Sequence, residues 1–332
     1  MRRTSQVALG GLVAALVGLA MASAAPASAQ PSPNPTVETV ALFDAGALET
    51  PENIAIDNHN NKYISLALTG EIRKIAPDGT QSSFATLPLG APPLTVCGPF
   101  FAGLTGVTLD EHDNLYANLA SCDSDSRGIW KISPGGRPTR IAALPLDSLP
   151  NGLVHDAGYL YAADSTLGLI WRVSDQGGTP QVWARGDELA QVPGGLPGPN
   201  GLKQFGGEMY VSNPSQSTIV AIQIAPDGSA GAFRVHATGL FCDDFAFDVR
   251  GNLYCGTDPF NTLVRVRPDG SAQTILTSLD GLDGPTAAAF GHQGDRFELY
   301  LTNAAFPFLP GPTPRRPSLL RVSLDIPGLL HP

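Results

Sequence analysis

Residues 51–57 read PENIAID, and five further segments of the same form begin at Leu104, Pro150, Pro199, Cys242 and Pro285. A short polar turn follows such a segment, and then an apolar run that carries an aromatic residue, such as NLYA at 114–117. A third run alternates apolar with basic residues, as LIWRV does at 169–173, and a fourth, such as QTIL at 273–276, completes the unit. Short alternating runs bounded by turn residues are typical of β-strands. The repeat therefore indicates six units of four strands each.

Six such units predict an all-β fold, a six-bladed β-propeller of four-stranded blades. Residues 39–43 (TVALF) precede the first unit like an unpaired fourth strand, and the sixth unit ends at 319–323 without one. We expect the N-terminal strand to join the last blade and close the ring, because closure protects the terminal edges from foreign pairing. The predicted organisation is a signal peptide at 1–29, a Pro-rich leader at 30–38 and a single propeller domain at 39–332.

The N-terminus has the layout of a secretory signal peptide. Arg2 and Arg3 precede an uncharged apolar run at 7–20, and Ala27-Ser28-Ala29 offers a cleavage site. The mature chain is expected to start near Gln30 and to be secreted to the extracellular space, or to a periplasm-like space outside the cytoplasmic membrane. No later segment is long and apolar enough to predict a membrane anchor after cleavage.

The charge balance argues against one class of partner. The chain has 20 Lys and Arg and 30 Asp and Glu, and loss of Arg2 and Arg3 leaves a net charge of −12 on the mature chain. A strongly acidic surface disfavours nucleic acid. The carboxylate excess also raises the local concentration of cations, although solvated acidic faces account for most of it. We expect a monomer that acts on a small molecule.

Four cysteines lie in this exported chain, where disulfides are permitted. They are Cys97, Cys122, Cys242 and Cys255, which allow three connectivities. The last two flank a predicted hairpin, and the first two flank the equivalent hairpin of another repeat. The two local pairs, Cys97 with Cys122 and Cys242 with Cys255, are therefore favoured.

One position of the repeat predicts a metal site. The first strand of each propeller blade lines the axial channel, so a repeated position forms a ring of side chains around the axis. At the second position of the segments the residues all carry oxygen: Glu52, Thr105, Asn151, Asn200, Asp243 and Thr286. Two carboxylates and two carboxamides that converge need a compensating cation. Ca²⁺ binds six to eight oxygens in irregular geometry, whereas Zn²⁺ prefers His or Cys. We predict that Glu52, Asn151, Asn200 and Asp243 bind Ca²⁺ or another divalent cation.

These residues also have ordinary structural explanations. Pro-Asn-Gly is a common turn sequence, which would account for Asn151 and Asn200. Taken alone, Glu52 could be a solvated loop acid and Asp243 a cap at a strand end. Their common place in the repeat favours the metal site over these explanations.

The remaining residues around the ring are assigned to its substrate side. They are Thr105, Thr286 and Asp244, of which Asp244 could support the ligands and Thr105 could bond a neighbouring backbone. His155 could serve as a general base, yet strand alternation places it away from the channel mouth, so we expect it to be packed or at the surface. The sequence has no nucleophile elbow and no phosphate-binding glycine loop.

Several motifs resemble the gluconolactonase and senescence-marker-protein (regucalcin) family of six-bladed propellers, relatives of diisopropyl fluorophosphatase and the paraoxonases. They are Glu52 in the first repeat, PNGL at 150–153 with YAADS at 161–165, PNGL at 199–202, and Asp243 before FDVRGNLY at 247–254. The resemblance spans about residues 39–323. It implies a divalent metal, usually Ca²⁺, held by Glu52, Asn151, Asn200 and Asp243.

The resemblance also implies a chemistry, in which the metal polarises a lactone carbonyl or phosphoryl oxygen. Asp243 would then activate water or attack as a carboxylate. Sugar-lactonase members tend to carry Asn-Asp-Gly in the second blade, where this chain has Thr105, so the substrate side departs from the family pattern.

Two functional hypotheses follow. The first is a secreted, Ca²⁺-dependent hydrolase of lactones or related esters, with the metal in the axial channel. The second is a non-catalytic extracellular propeller, stabilised by the metal, that binds a protein or a glycan. A condensing enzyme similar to strictosidine synthase would need an acid in the last blade, where the ring has Thr286.

Overall fold

A computed structural model of the chain describes residues 35–98, 100–193 and 195–329. The predicted signal peptide lies outside these residues, as does most of the predicted leader. The described part contains 26 β-strands and three short 3₁₀ helices, and no α-helix. No helix in it is long and apolar enough to cross a membrane.

Most of the strands form six four-stranded antiparallel sheets. The N-terminal strand is β1 (Thr36–Leu42). Blade 1 is β2 (Pro51–Ile56), β3 (Lys62–Leu66), β4 (Glu71–Ile75) and β5 (Gln81–Thr86). A small hairpin, β6 (Val96–Cys97) and β7 (Phe100–Phe101), precedes blade 2, which is β8 (Gly103–Leu109), β9 (Leu115–Ala120), β10 (Gly128–Ile132) and β11 (Pro138–Ala143). Blade 3 is β12 (Pro150–Asp156), β13 (Tyr159–Asp164), β14 (Leu169–Ser174) and β15 (Gln181–Arg185).

The second half of the described chain repeats this arrangement. Blade 4 is β16 (Leu202–Phe205), β17 (Glu208–Asn213), β18 (Thr218–Ile224) and β19 (Ala230–Thr238). Blade 5 is β20 (Phe245–Phe247), β21 (Leu253–Thr257), β22 (Thr262–Val266) and β23 (Ala272–Leu276). Blade 6 is β24 (Pro285–Phe290), β25 (Glu298–Asn303) and β26 (Ser318–Ser323), with β1 as its outer strand. The structure is the six-bladed propeller that the repeat predicts.

The ring closes through β1, which pairs antiparallel with β26 in the last blade. The first strands of the blades contact one another around the axis in the order β2, β8, β12, β16, β20, β24 and back to β2. The outer strand begins at Thr36, three residues before its expected start at Thr39, because Thr36 to Glu38 continue the pairing with Arg321 to Ser323. The end of the expected leader is thus part of the propeller.

The apolar core is divided among the interfaces between blades. Each of six clusters of buried side chains combines residues from two neighbouring blades. The cluster between blades 1 and 2 contains Ile72 and Leu104, and the cluster between blades 6 and 1 contains Leu319 and Ile64. Each blade therefore buries both faces, and only the closed ring completes the core.

Both predicted disulfides are present in the structure. Cys97 pairs with Cys122 and Cys242 with Cys255, with Cα–Cα distances of 5.1 and 5.6 Å. The second disulfide joins the residue before Asp243 to β21 of the same blade. Disulfides form and persist in oxidising compartments, so both are compatible with an extracellular location.

Close approach of neighbouring inner strands explains the Asn-Gly pairs. The amide of Gly152 donates to the carbonyl oxygen of Asn200 at 2.9 Å, and that of Gly201 donates to the carbonyl oxygen of Asp243 at 3.1 Å. A Cβ at Gly152 would lie 2.4 Å from the Asn200 carbonyl oxygen. Because Pro150–Asp156 forms one strand, its Pro-Asn-Gly is not a turn. The glycine allows one blade's backbone to touch the next at the axis.

We expect Gly152→Ala to lower the free energy of unfolding by about 1 to 3 kcal/mol, because the clash is with backbone atoms that cannot rotate away. Urea unfolding followed by fluorescence measures the change. Gly294→Ala is the matched control, since a Cβ there would meet no atom within 4 Å. Equal stability of the two variants would contradict this explanation of the glycine.

Candidate functional site

The six ring residues all lie at or just before the start of an inner strand. Four of them lie in strands: Glu52, Thr105, Asn151 and Thr286. The other two lie two residues before a strand, Asn200 before β16 and Asp243 before β20. All are buried except Asp243, which is partly exposed. The six residues thus occupy equivalent places at the inner strands, and Asp243 is the most exposed of them.

Three of the four predicted ligands influence one another electrostatically. Burial raises the pKa of Glu52 to about 8, with further contributions from the charges of Asp258 and Asp244. Burial also raises the pKa of Asp243 well above its usual range, and the charges of Glu52 and Asp258 add to this, while a hydrogen bond from the Asn200 side chain opposes it. Without a compensating cation, the folded protein disfavours ionising these acids together.

Three buried side-chain oxygens of these residues lack a hydrogen-bond partner within the described part of the chain. Oε2 of Glu52, Oδ1 of Asn200 and Oδ1 of Asp258 are buried and accept no hydrogen bond from the described part of the chain. Buried polar atoms without partners are rare because each costs free energy, and such atoms call for an explanation. Carboxylate and carboxamide oxygens are ligands that a hard cation prefers, so these residues fit Ca²⁺.

Asn151 lies in the next blade along the ring from Asn200 and is nine-tenths buried. Its carbonyl oxygen accepts from the Asn118 side chain at 2.7 Å, which fixes the backbone at this position. Among the described residues, no group of three or more His, Cys, Asp or Glu side chains is close enough to hold a metal. A cation here would therefore depend on the amide oxygens of Asn151 and Asn200 as well as on carboxylates.

The two threonines of the ring bond to backbone atoms between blades. Oγ1 of Thr105 donates to the carbonyl oxygen of Pro150 at 2.7 Å, and Oγ1 of Thr286 donates to that of Pro51 at 3.2 Å. The Thr286 hydroxyl also lies 2.9 Å from that of Thr302. Their hydroxyls join neighbouring blades, which for Thr105 is the backbone bond that the sequence also allowed, and the substrate-side role of both residues stays a prediction.

Asp244 is occupied by its own partners. Lys203 Nζ lies 2.8 and 2.7 Å from its two carboxylate oxygens, and Asn53 Nδ2 donates to it at 2.9 Å. Lys203 also lines a cavity of about 100 Å³, formed by the later residues of the inner strands, as does His155. Asp244 therefore contributes its charge to the ring while its oxygens are engaged by Lys203 and Asn53.

His155 packs, as expected. Its Nε2 lies 3.1 Å from Oδ2 of Asp175, and its ring stacks on Tyr116 with centroids 5.7 Å apart. Its contacts are thus with Asp175 and Tyr116 rather than with the ring acids.

The structure adds Asp258, which the sequence did not single out. It follows β21, the strand to which Asp243 is fixed by the hydrogen bond from its amide to the Gly256 carbonyl oxygen at 2.9 Å. Burial raises the pKa of Asp258 to about 7 against the opposing charge of Arg315. Asp258 was missed because the equivalent positions, four residues after the Tyr of each second strand, carry Ala, Ser or Pro in the other blades, so the repeat shows no ring of polar residues there.

Comparison with known proteins supports the fold. No protein-family model matches the chain, and no curated protein matches its sequence. Among solved structures, a gluconolactonase from Xanthomonas campestris shares 16% identity over 92% of this chain and 99% of its own, with a TM-score of 0.59. A regucalcin from Agrobacterium tumefaciens, described as a calcium-binding protein, shares 14% over 90% and 96%, with a TM-score of 0.62. A luciferin-regenerating enzyme shares 16% over 89% and 97%, with a TM-score of 0.63. At these identities the similarity shows the shared six-bladed fold alone.

Proposed function

We propose that this protein is a secreted, Ca²⁺-dependent hydrolase of small lactones or related esters. The observation that carries the proposal is the cluster of buried, unsatisfied oxygens at the axis, which includes Glu52 and Asn200 beside the partly exposed Asp243. The names of two fold neighbours, a gluconolactonase and a calcium-binding regucalcin, support the choice of substrate class and metal. Export is proposed from the N-terminal sequence and the two disulfides.

In this proposal Glu52, Asn151, Asn200 and Asp243 hold the cation, and the acidic, monomeric protein has no nucleic-acid partner. When bound, Ca²⁺ supplies Lewis-acid polarisation of a carbonyl oxygen. The Asn200 side chain opposes the raised pKa of Asp243 and so favours its carboxylate form. The Ser212 hydroxyl donates to the Asp243 carbonyl oxygen at 2.5 Å, and the Cys242–Cys255 disulfide fixes the preceding residue. Asp243 is thus a carboxylate on a rigid backbone, at the accessible side of the ring.

Asp243 is assigned the proton transfer. Its carboxylate accepts a proton from the attacking water as the water oxygen bonds to the acyl carbon, and the resulting carboxyl group returns that proton to the alkoxide released as the C–O bond breaks. For a lactone the leaving alkoxide stays attached to the acid, so the product is a hydroxy acid.

The proposal is tested with a panel of lactones and aryl esters, assayed in Ca²⁺ and again after chelation. We expect hydrolysis of at least one substrate class, loss of that activity on chelation and recovery when Ca²⁺ is restored. Hydrolysis that persists without metal would contradict the proposed mechanism. If Ca²⁺ raises the melting temperature but no substrate is hydrolysed, the result favours a metal-stabilised binding propeller for a protein or glycan.

A further inference from the structure

A cluster of three aromatic side chains lies at the end of the propeller where the inner strands begin. The cluster consists of Phe101, Phe306 and Phe308, and we call it the aromatic bridge. The ring centroids of Phe101 and Phe308 are 5.1 Å apart, and those of Phe306 and Phe308 are 5.0 Å apart in a stacked arrangement. The three rings therefore form one continuous apolar surface.

The aromatic bridge crosses blade 1. Phe101 lies two residues before the inner strand β8 of blade 2, and so within about 7 Å of the start of that strand. Phe306 and Phe308 follow β25 of blade 6, whose last residue pairs with the start of the inner strand β24. Blades 2 and 6 are the two neighbours of blade 1 around the axis. Their contact must therefore pass over blade 1 at the end where its inner strand begins with Pro51 and Glu52.

Both sides of the aromatic bridge are held in place. In blade 6, Arg315 Nη2 bonds to the carbonyl oxygen of Phe306, and its Nη1 bonds to Oδ1 of the buried Asp283 at 2.5 Å. The loop at 304–317 also contains five prolines, each of which restricts the backbone. On the other side, a disulfide joins the β6–β7 hairpin to the segment after β9. The rings are thus positioned before any ligand binds.

The surface of the aromatic bridge is partly exposed. Phe308 is 46% exposed, and Val96, which pairs with Phe101 across the β6–β7 hairpin, is 61% exposed. A phenylalanine of the core, such as Phe245, is fully buried. Single exposed apolar side chains are common, whereas a contiguous group of them indicates a surface that binds a ligand or a partner. The aromatic bridge is such a group, beside the mouth of the axial channel.

The neighbouring residues favour a neutral hydrocarbon as the ligand. An anionic group is disfavoured close to the ring acid Glu52, because like charges repel. The hydroxyl of Thr105, the ring residue of blade 2, donates to the Pro150 carbonyl oxygen at 2.7 Å and so is already engaged. A polyhydroxylated group placed against the phenylalanine rings would lose hydrogen bonds to water, whereas a hydrocarbon group would gain from burial.

We propose that the aromatic bridge binds a hydrocarbon group of the substrate, so that the protein acts on lactones or esters that carry an alkyl substituent. This inference rests on the proposed function and names its substrate class. Each methylene group buried against the rings contributes up to about fourfold in affinity. Because the rings are already positioned, little of this gain is lost to ordering the loops. The aromatic bridge thus selects the substrate, and the proton transfer stays with Asp243.

A series of lactones that differ only in alkyl length tests the inference. The series is γ-butyrolactone, γ-hexalactone and γ-octalactone, which share the ring that is opened. Wild-type kcat/KM is expected to be about 10- to 100-fold higher for γ-octalactone than for γ-butyrolactone. Phe308→Ala should reduce this ratio to less than about half, and Phe308→Leu, which keeps an apolar side chain, should retain most of it. A wild type that hydrolyses both lactones equally well would overturn the inference.

Leu279→Ala is the matched control. Leu279 is 95% exposed in the connection between blades 5 and 6, so this variant removes an apolar side chain at the same end of the propeller but outside the aromatic bridge. It should keep the wild-type ratio, and all three variants should melt at the wild-type temperature because the altered side chains are largely exposed. Sedimentation with phosphatidylcholine vesicles covers another partner. Binding to vesicles that Phe308→Ala and Leu279→Ala weaken equally would assign this face to a lipid surface and overturn the substrate role.

Binding measurements separate this inference from the proposed function. Calorimetric titration of the same lactones into Asp243→Asn follows binding with turnover slowed. Tighter binding of γ-octalactone, with no hydrolysis by the wild type, would support the aromatic bridge and contradict the hydrolase. Equal binding of all three lactones, with normal wild-type hydrolysis, would overturn the role of the aromatic bridge alone. A wild type that neither binds nor hydrolyses any lactone or ester would overturn both proposals.

Discussion

Asp243→Asn is expected to lower the hydrolysis rate at saturating Ca²⁺ by about 10²- to 10⁴-fold, the range typical of a lost general base. An amide keeps the size of the side chain and one oxygen for a cation, but it cannot accept the proton from water. Steady-state kinetics on the best substrate of the panel measures the effect, and calorimetry shows whether Ca²⁺ still binds.

Asp227→Asn is the control for this experiment, because Asp227 lies on an exposed turn of blade 4, where it accepts from the Ser229 amide at 3.0 Å. We expect this variant to retain wild-type rates. If Asp243→Asn bound Ca²⁺ and hydrolysed the substrate at the wild-type rate, Asp243 could not be the proton acceptor.

The stability of the metal-free protein is expected to fall as the pH rises from about 5 to about 8. The pKa of Glu52 is raised to about 8 and that of Asp258 to about 7, so between these values and their ordinary ones the folded state binds more protons than the unfolded state. The protonated acids contribute their full stabilisation below their ordinary pKa values. This contribution is lost as the pH rises through their pKa values in the folded state. The expected loss is a few kcal/mol, since one pKa unit corresponds to about 1.4 kcal/mol.

Ca²⁺ should reverse this trend, because the cation competes with protons for the same oxygens. Urea unfolding at about pH 5 and about pH 8, each with chelator and with Ca²⁺, measures both effects. Stabilisation by Ca²⁺ should be larger at the higher pH. Glu52→Gln should flatten the metal-free pH dependence, while Asp269→Asn, which removes one exposed acid from a turn of blade 5, should leave it unchanged. A metal-free protein that grew more stable with rising pH over this range would contradict the assignment of the buried acids.

The repeat in the sequence was sufficient to predict the number of blades and the closing strand. Each blade must bury two faces, so the same pattern of apolar residues and turns recurs wherever the same local structure is needed. Glu52, Asn151, Asn200 and Asp243 could be aligned because they occupy equivalent places at the inner strands. The local disulfide pairs followed from the same equivalence.

What each ring side chain does was decided only by contacts between blades. The hydroxyls of Thr105 and Thr286 bond to the backbone of the next blade, and Asp244 is engaged by Lys203 of the preceding blade. Asp258 directly follows β21, at a position that carries Ala, Ser or Pro in the other repeats. A repeated pattern reflects only the strand and turn geometry that the blades share. The sequence by itself therefore determined the propeller and the equivalent places of its oxygen-bearing residues. Which oxygens remain unsatisfied at the axis depends on side chains distant in sequence, and only the closed ring of six blades brings them together.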